Sequence, residues 1–323
     1  MTRKLFSLLI SCFAVFLLMG AGVEQEPAVL VDEELSQTET AAEVPEQPAE
    51  QAAPETVEPV EPADPAEESV PVVEEELDYT LTVDGQPVPK TVGKTYRSEI
   101  TYVALGPMAQ CLDETILTKW DEATQTMTVH NDKLVLTATV GQLYLTVNGR
   151  FFYTPEGIQM ENGQVIVPLS DLAKAFDASL SWDGTTGLTS VTRGSGAAMD
   201  GELFYDAEDL FWLSRVIYTE SGNQPLEGMM AVGNVVLNRV KHPAFPDTIE
   251  EVLAQKNQFT TYWTGHIANS SPNSQSVVAA KLVLDGGVVE EVENALYFDS
   301  AANSWAARNR TCVAVIGGHK FYS

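Results

Sequence analysis

Apolar residues along this chain follow four successive patterns, and each predicts a different kind of structure. A largely apolar run from Leu5 to Met19, interrupted only by Ser7 and Ser11, follows Arg3 and Lys4 and precedes Gly20, Ala21 and Gly22. That is the layout of a secretory signal peptide over residues 1–22. From residue 23 to 78 apolar side chains lose any period, and Glu, Pro, Ala and Val dominate with no Gly, Lys, Arg or aromatic residue. Such a segment cannot bury enough surface to offset chain entropy, so a disordered acidic linker is expected there. Residues 79–194 carry short apolar runs broken by turn residues, the pattern of strands and hairpins. From Asp206 the period lengthens to that of a helix. Leu210, Leu213, Ile217 and Glu220 share a stripe about 80° wide, with Asp206 as N-cap and Asp209 in the first turn. Ser221, Gly222, Asn223 and Pro225 end that helix and start a second, from about Pro225 to Val240. Its apolar face is Leu226, Met229, Met230, Gly233, Leu237 and Val240, while Glu227, Ala231, Asn234 and Asn238 form a polar line expected to flank a cleft.

Within residues 79–194 the pattern occurs twice. Tyr102-Val103-Ala104-Leu105, Ala109, Trp120-Asp121 and Thr126–Val129 are followed in the same order by Ile166-Val167-Pro168-Leu169, Ala173, Trp182-Asp183 and Leu188–Val191. Each copy predicts a strand, a helix after the Leu, and a hairpin. A further hairpin precedes each copy, turning at Asp84-Gly85 in Leu81–Val88 and at Asn148-Gly149 in Leu145–Phe152. A Trp at the same place in both repeats is expected in the core, although an exposed indole can stack on a sugar. Gly194-Ser-Gly-Ala-Ala198 reads as a flexible join, which would leave the last domain able to fold alone.

Charge and composition narrow the function. The 323 residues carry a formal net charge of -28, but residues 23–78 alone hold 19 acids and no base, so most of the acidity belongs to the linker. Residues 79–205 hold 14 acids against 8 bases. No basic patch predicts nucleic-acid binding, and membrane contact is expected only through the leader, if it is left uncleaved. Cys111 and Cys312 are too few for a disulfide framework and read as small core residues. His130 is isolated, and His242, His266 and His319 are too scattered for a zinc motif, so no metal and no cofactor is expected.

The chemistry centres on Glu220. A carboxyl on an apolar helical stripe is desolvated, and desolvation raises its pKa so that it can hold a proton at neutral pH and donate it. Pairing with Arg215 or Arg239 is the plainer alternative for this side chain.

The strand, helix and Trp-Asp hairpin of residues 79–194 resemble the stalk domain also called the copper amine oxidase N-terminal-like domain. The resemblance implies a presenting or wall-contacting module, not a copper site. Leu213–Glu220, Gly228–Val240, Phe245–Ile249, Asn257–Phe259, Ala295–Phe298 and Ile316–Phe321 together resemble the cell wall hydrolase family typified by the spore cortex-lytic enzyme SleB. That likeness covers residues 206–323 and departs at Asp299-Ser300, where similar chains often carry Asn-Pro. It implies an α+β, lysozyme-like catalytic fold, action on peptidoglycan glycan strands in cell wall or spore cortex, and a single catalytic glutamate at Glu220. Glu227, Asn234, Gln258, Tyr297 and His319 are the expected substrate contacts. The expectation is a multidomain α+β protein: signal peptide, acidic linker, β-rich repeat stalk, and catalytic domain. The reaction expected is lytic transglycosylation between N-acetylmuramic acid and N-acetylglucosamine. A hydrolase with a second carboxylate, such as Glu227 or Asp299, and a non-catalytic wall-binding protein remain open.

Overall fold

The computed structural model describes residues 76–256 and 258–323. The expected signal peptide and nearly all of the expected linker lie outside the described residues. The first strand already begins at Leu77, inside the segment assigned to the linker. No helix among the described residues is long and apolar enough to cross a membrane.

The N-terminal half is built on strands with short helices. Strands β1 (Leu77–Val83), β2 (Gln86–Pro89), β3 (Thr95–Arg97) and β4 (Ile100–Ala104) lead into α1 (Leu105–Leu112). Then come β5 (Leu117–Asp121), β6 (Thr126–His130), β7 (Val135–Thr139), β8 (Tyr144–Val147), β9 (Arg150–Tyr153), β10 (Gln159–Glu161) and β11 (Gln164–Pro168). Helix α2 (Leu169–Ala175) and the hairpin of β12 (Ser179–Asp183) and β13 (Leu188–Thr192) complete it. The repeat is real in three dimensions. Strands β4 and β11, one from each copy, pair antiparallel with Val103 opposite Val167, its own counterpart, so a local two-fold axis runs between them. The preceding hairpins exchange: β1–β2 joins the Trp hairpin of the second copy, β12–β13, whereas β8–β9 reaches the first copy's β5–β6 through β7. Both expected turns are present. Asp84 and Gly85 have φ of 49° and 79°, and Asn148 and Gly149 have 47° and 79°. This left-handed pair matches the twist of the flanking strands and is tolerated best by Asp or Asn followed by Gly.

Two expectations need correction here. Trp120 and Trp182 are exposed, not core, because every residue of β5 and β12 is exposed along the outer edges of their sheets. Cys111 packs partly buried against the core as expected, but Cys312 is exposed.

The C-terminal half is mainly helical. After α3 (Gly201–Phe204), α4 (Ala207–Ser221) begins at Asp206, whose carboxylate accepts the amide protons of Glu208 and Asp209 at 2.9 and 3.0 Å. Helix α5 (Leu226–Lys241) follows, then α6 (Ile249–Leu253), α7 (Thr260–Trp263), α8 (His266–Asn269) and α9 (Ser274–Leu284). Helices α4, α5 and α9 pack against one another. Gly233 permits this approach: a Cβ there would stand 3.0 Å from Ile217 Cδ1 and 3.3 Å from Val283. A sheet ordered β14 (Tyr297–Asp299), β16 (His319–Tyr322), β15 (Cys312–Ile316), with α10 (Trp305–Asn309) between β14 and β15, closes the domain. The result is the expected mixed α+β architecture.

The join between the halves is tied down, contrary to the flexible linker expected of its composition. Gly196 and Ala198 donate their amides to Phe176 and Ala175 carbonyls at 3.1 and 2.8 Å, and Gly201 donates to Asn148 at 2.7 Å. A Cβ on Gly201 would lie 2.6 Å from the Gly149 backbone, so the β8–β9 turn rests directly on α3. Beyond the join, Tyr144, Phe151 and Tyr153 pack on the C-terminal core. At the centre of this contact Arg150 Nε and Nη2 donate to the two Asp285 carboxylate oxygens at 2.9 and 2.7 Å, with the Tyr205 hydroxyl adding a third bond at 3.1 Å. Lys174 also contacts Asp285.

Candidate active site

Glu220 is the penultimate residue of α4, and the neighbouring Ser221 and Ile217 are buried beneath it. Burial pushes its carboxyl above the ordinary carboxylate range, while a hydrogen bond from Thr261 and the proximity of His266 act in the other direction. The Thr261 hydroxyl donates to Glu220 Oε1 at 3.1 Å, which orients the carboxyl and leaves the other oxygen for a proton. Neither arginine weighed as a partner forms an ion pair with it among the described residues: Arg215 lies over the Phe211 ring, and Arg239 donates to the Leu296 carbonyl at 2.7 Å. A carboxyl that is half-buried, oriented and without an ion-pair partner among the described residues is suited to give a proton away.

Glu220 opens onto a cavity of about 260 Å³, shared with Arg239, Gln258, Phe259, Asp299 and His319. The elements converge from distant parts of the chain. Helix α5 supplies Arg239 near its end, the segment before α7 supplies Gln258, and the adjacent strands β14 and β16 supply Asp299 and His319. Arg239 is buried, which pulls its pKa down to about 10, and its Nη1 has no hydrogen-bond partner among the described residues. The rings of Phe245, Phe259 and Tyr297 surround its guanidinium at 5.3 to 5.4 Å. Burial also lowers the His319 pKa, opposed by Asp299, so the imidazole is neutral near pH 7; its Nδ1 is likewise unpartnered. Asp299 is fixed by the Ser304 hydroxyl and, at 3.5 Å, by Tyr322.

Of the residues expected to touch substrate, Gln258 and His319 therefore share a cavity with Glu220, and the other three do not. Glu227 accepts the Tyr153 hydroxyl at 2.9 Å, at the contact with the N-terminal half. Tyr297 stacks among Trp305, Phe245 and Arg310. Asn234 is buried, and its amide is fully engaged, donating to the Gly287 carbonyl at 2.9 Å and accepting the Val289 amide at 3.0 Å. With Asn238 bonded to the Val292 and Ala295 carbonyls, the polar line on α5 is a seam to residues 287–295 and not a cleft wall. The inward-facing backbone of this irregular, partly exposed connection needs donors and acceptors, and α5 provides them. Asn234→Ala is accordingly expected to destabilise the fold by about 1–3 kcal/mol, as read from urea unfolding, because it strands two buried backbone groups.

Arg239, Phe259, Thr261 and His266 were not foreseen as site residues. A cation on an otherwise buried stretch of helix was the available signal for Arg239. Phe259 sits in the Asn257–Phe259 block that carries the family resemblance, and nothing local marks Thr261 and His266.

Comparison with known proteins finds two family matches in the chain. Residues 223–322 match the family described as Cell Wall Hydrolase, beginning just after Glu220, and residues 82–191 match the Copper amine oxidase N-terminal domain. The spore cortex-lytic enzyme of Oceanobacillus iheyensis is 26% identical over 59% of this chain and 64% of its own length. That of Bacillus cereus is 34% identical over 46% and 60%. The chain thus spans about three-fifths of the length of these curated relatives. The solved catalytic domain of the Bacillus cereus SleB protein is 30% identical, with 37% of this chain and 92% of that one covered and a TM-score of 0.33. The catalytic domain of the germination-specific lytic transglycosylase SleB from Bacillus anthracis is 31% identical, with 37% and 97% covered and a TM-score of 0.34. Residues 223–322 therefore belong to the cell wall hydrolase family, and they follow a copper amine oxidase N-terminal domain at residues 82–191.

Proposed function

We propose that this protein is an exported lytic transglycosylase that cuts peptidoglycan glycan strands, with Glu220 as the single acid and base. Its parts are a signal peptide at 1–22, an acidic linker from residue 23 to the start of β1 at Leu77, a stalk domain from there to residue 194 and a catalytic domain at 206–323, acting in cell wall or spore cortex. The observation that carries this reading is the raised pKa of an unpaired, oriented carboxyl opening onto a cavity. In the reaction, Glu220 protonates the glycosidic oxygen between N-acetylmuramic acid and N-acetylglucosamine. The resulting carboxylate takes a proton from the muramoyl C6 hydroxyl as that oxygen closes on C1, leaving a 1,6-anhydro end. The free Arg239 Nη1 and neutral His319 offer polar contacts to the sugar, and Gln258 lies at the same cavity.

The products provide the test. Muropeptides released from purified peptidoglycan are expected to carry ends lighter by one water than hydrolysed ends and resistant to borohydride, as read by mass spectrometry. Asp299 on the same cavity favours a second reading, hydrolysis by two carboxylates. Reducible ends, together with a loss in Asp299→Asn as deep as that in Glu220→Gln, would establish hydrolysis instead. A chain that sediments with the wall yet releases no glycan ends would be a binder, not an enzyme.

A further inference from the structure

The two-fold symmetry of the N-terminal half extends from its backbone to its surface. A groove of about 690 Å³ is lined by Trp182, Tyr96 and Ser170, and a second of about 400 Å³ by Trp120, Met160 and Gly106. These are the same positions in the two repeats: Tyr96 corresponds to Met160 and Ser170 to Gly106 under the shift that superposes Val103 on Val167, and the two tryptophans match by their Trp-Asp motif. Trp182 is 71% exposed and Trp120 36% exposed.

The two rings are accommodated differently at one hairpin position. The Trp120 indole N–H donates to the Glu122 carboxylate at 2.6 Å. In the other copy Gly184 stands where Glu122 does, and a Cβ there would lie 3.0 Å from the Trp182 ring, so the missing side chain makes room for the indole. Two flat aromatic surfaces repeated about an axis can each take a unit of the same repeating ligand, and two such contacts add avidity. The flat apolar face of a pyranose stacks on an indole while its hydroxyls and amides meet polar groups such as Ser170 and Gln125 at the rim. The acidic balance of residues 79–205 opposes a phosphate-rich polymer and leaves an uncharged sugar chain as the better fit.

We propose that the Trp120 and Trp182 grooves are paired binding sites for amino-sugar glycan strands, gripping the polymer that the C-terminal domain acts on. The choice of ligand rests on the function proposed above, whereas the existence of the paired grooves does not. The test uses the full chain carrying Glu220→Gln, sedimented with purified peptidoglycan and titrated with a soluble N-acetylglucosamine tetramer. Trp120→Ala with Trp182→Ala should weaken wall binding by at least about tenfold, each single change should weaken it less, and the Trp→Phe pair should restore most of it. Wall affinity unchanged in a folded double alanine variant overturns the proposal. So does a dimer that the double variant converts to monomer with wall binding intact, which would assign the grooves to a second copy of the chain. Trp-dependent binding by a chain whose unsubstituted form releases no glycan ends would sink the catalytic reading and leave the grooves standing.

Discussion

Glu220→Gln is expected to lower turnover of purified peptidoglycan by about 10²–10⁴-fold or more, since one group serves both proton transfers. Gln keeps the size of the side chain and can still accept from Thr261, so folding and wall binding should survive. Clearing of peptidoglycan suspensions measures the effect, and near-full activity would remove Glu220 from the mechanism. The same substitution carries a stability signature. Because burial raises the Glu220 pKa, the folded chain keeps a proton that the unfolded chain has already lost. Wild-type stability therefore falls as pH rises from the ordinary glutamate pKa to the raised one, and is flat above it. The Gln variant has no such step. Thermal unfolding across pH should show it equal to or below wild type in acid and gaining on wild type through that window, a trade of stability for function. A pH-independent difference would mean that the carboxyl is not desolvated in solution.

Asp285→Ala should be the most damaging single change to the fold away from the active site, at about 3–5 kcal/mol. The Asp285 side chain is 1% exposed and takes both forks of Arg150, itself 10% exposed. Losing the carboxylate leaves that guanidinium buried beside Phe152 and Phe204 with no counter-charge. Denaturant unfolding would register the loss as a lower midpoint. Replacing Arg150 and Asp285 together with Met and Leu should cost much less than either alone, because the penalty comes from the stranded charge. A double change that costs as much as the two single changes added together would show that the pair carries no coupling. The same geometry argues that a fragment starting at Asp206 is less stable than the domain within the full chain, since it loses Arg150, Lys174 and Tyr205 together.

What the sequence disclosed and what it hid divide along the reach of the interactions. The start of α4 was legible because Asp206 bonds amides two and three residues away. The hairpin turns were legible because a left-handed residue pair selects Asp-Gly and Asn-Gly locally. Glu220 was legible because helical period alone puts it with Leu213 and Ile217. The polar line on α5 misled for the opposite reason. Asn234 and Asn238 are alike in sequence whether they face sugar or the backbone of residues 287–295, and only the path of that connection decides. The tryptophans marked the repeat correctly, but recurrence at one position does not say which side of a hairpin faces water. Asp285 gave no sign of its role, because its partner Arg150 lies 135 positions away.

The exchange of hairpins between the two repeats also sets a schedule. Strand β1 lies parallel to β13, with Leu81 opposite Thr189 and Val83 opposite Val191. A pairing of that span is among the slowest kinds to form, because most of the intervening chain must be ordered before it can close. A chain that emerges N-terminus first presents the β1–β2 hairpin early, and that hairpin waits with an open edge until the last strand of the second repeat arrives. The 18 acidic residues between Val23 and Leu77, just upstream, give the waiting segment a like charge on every copy. Mutual repulsion would then keep neighbouring nascent chains from lending each other the missing strand, and the domain would close on itself instead of on its neighbour.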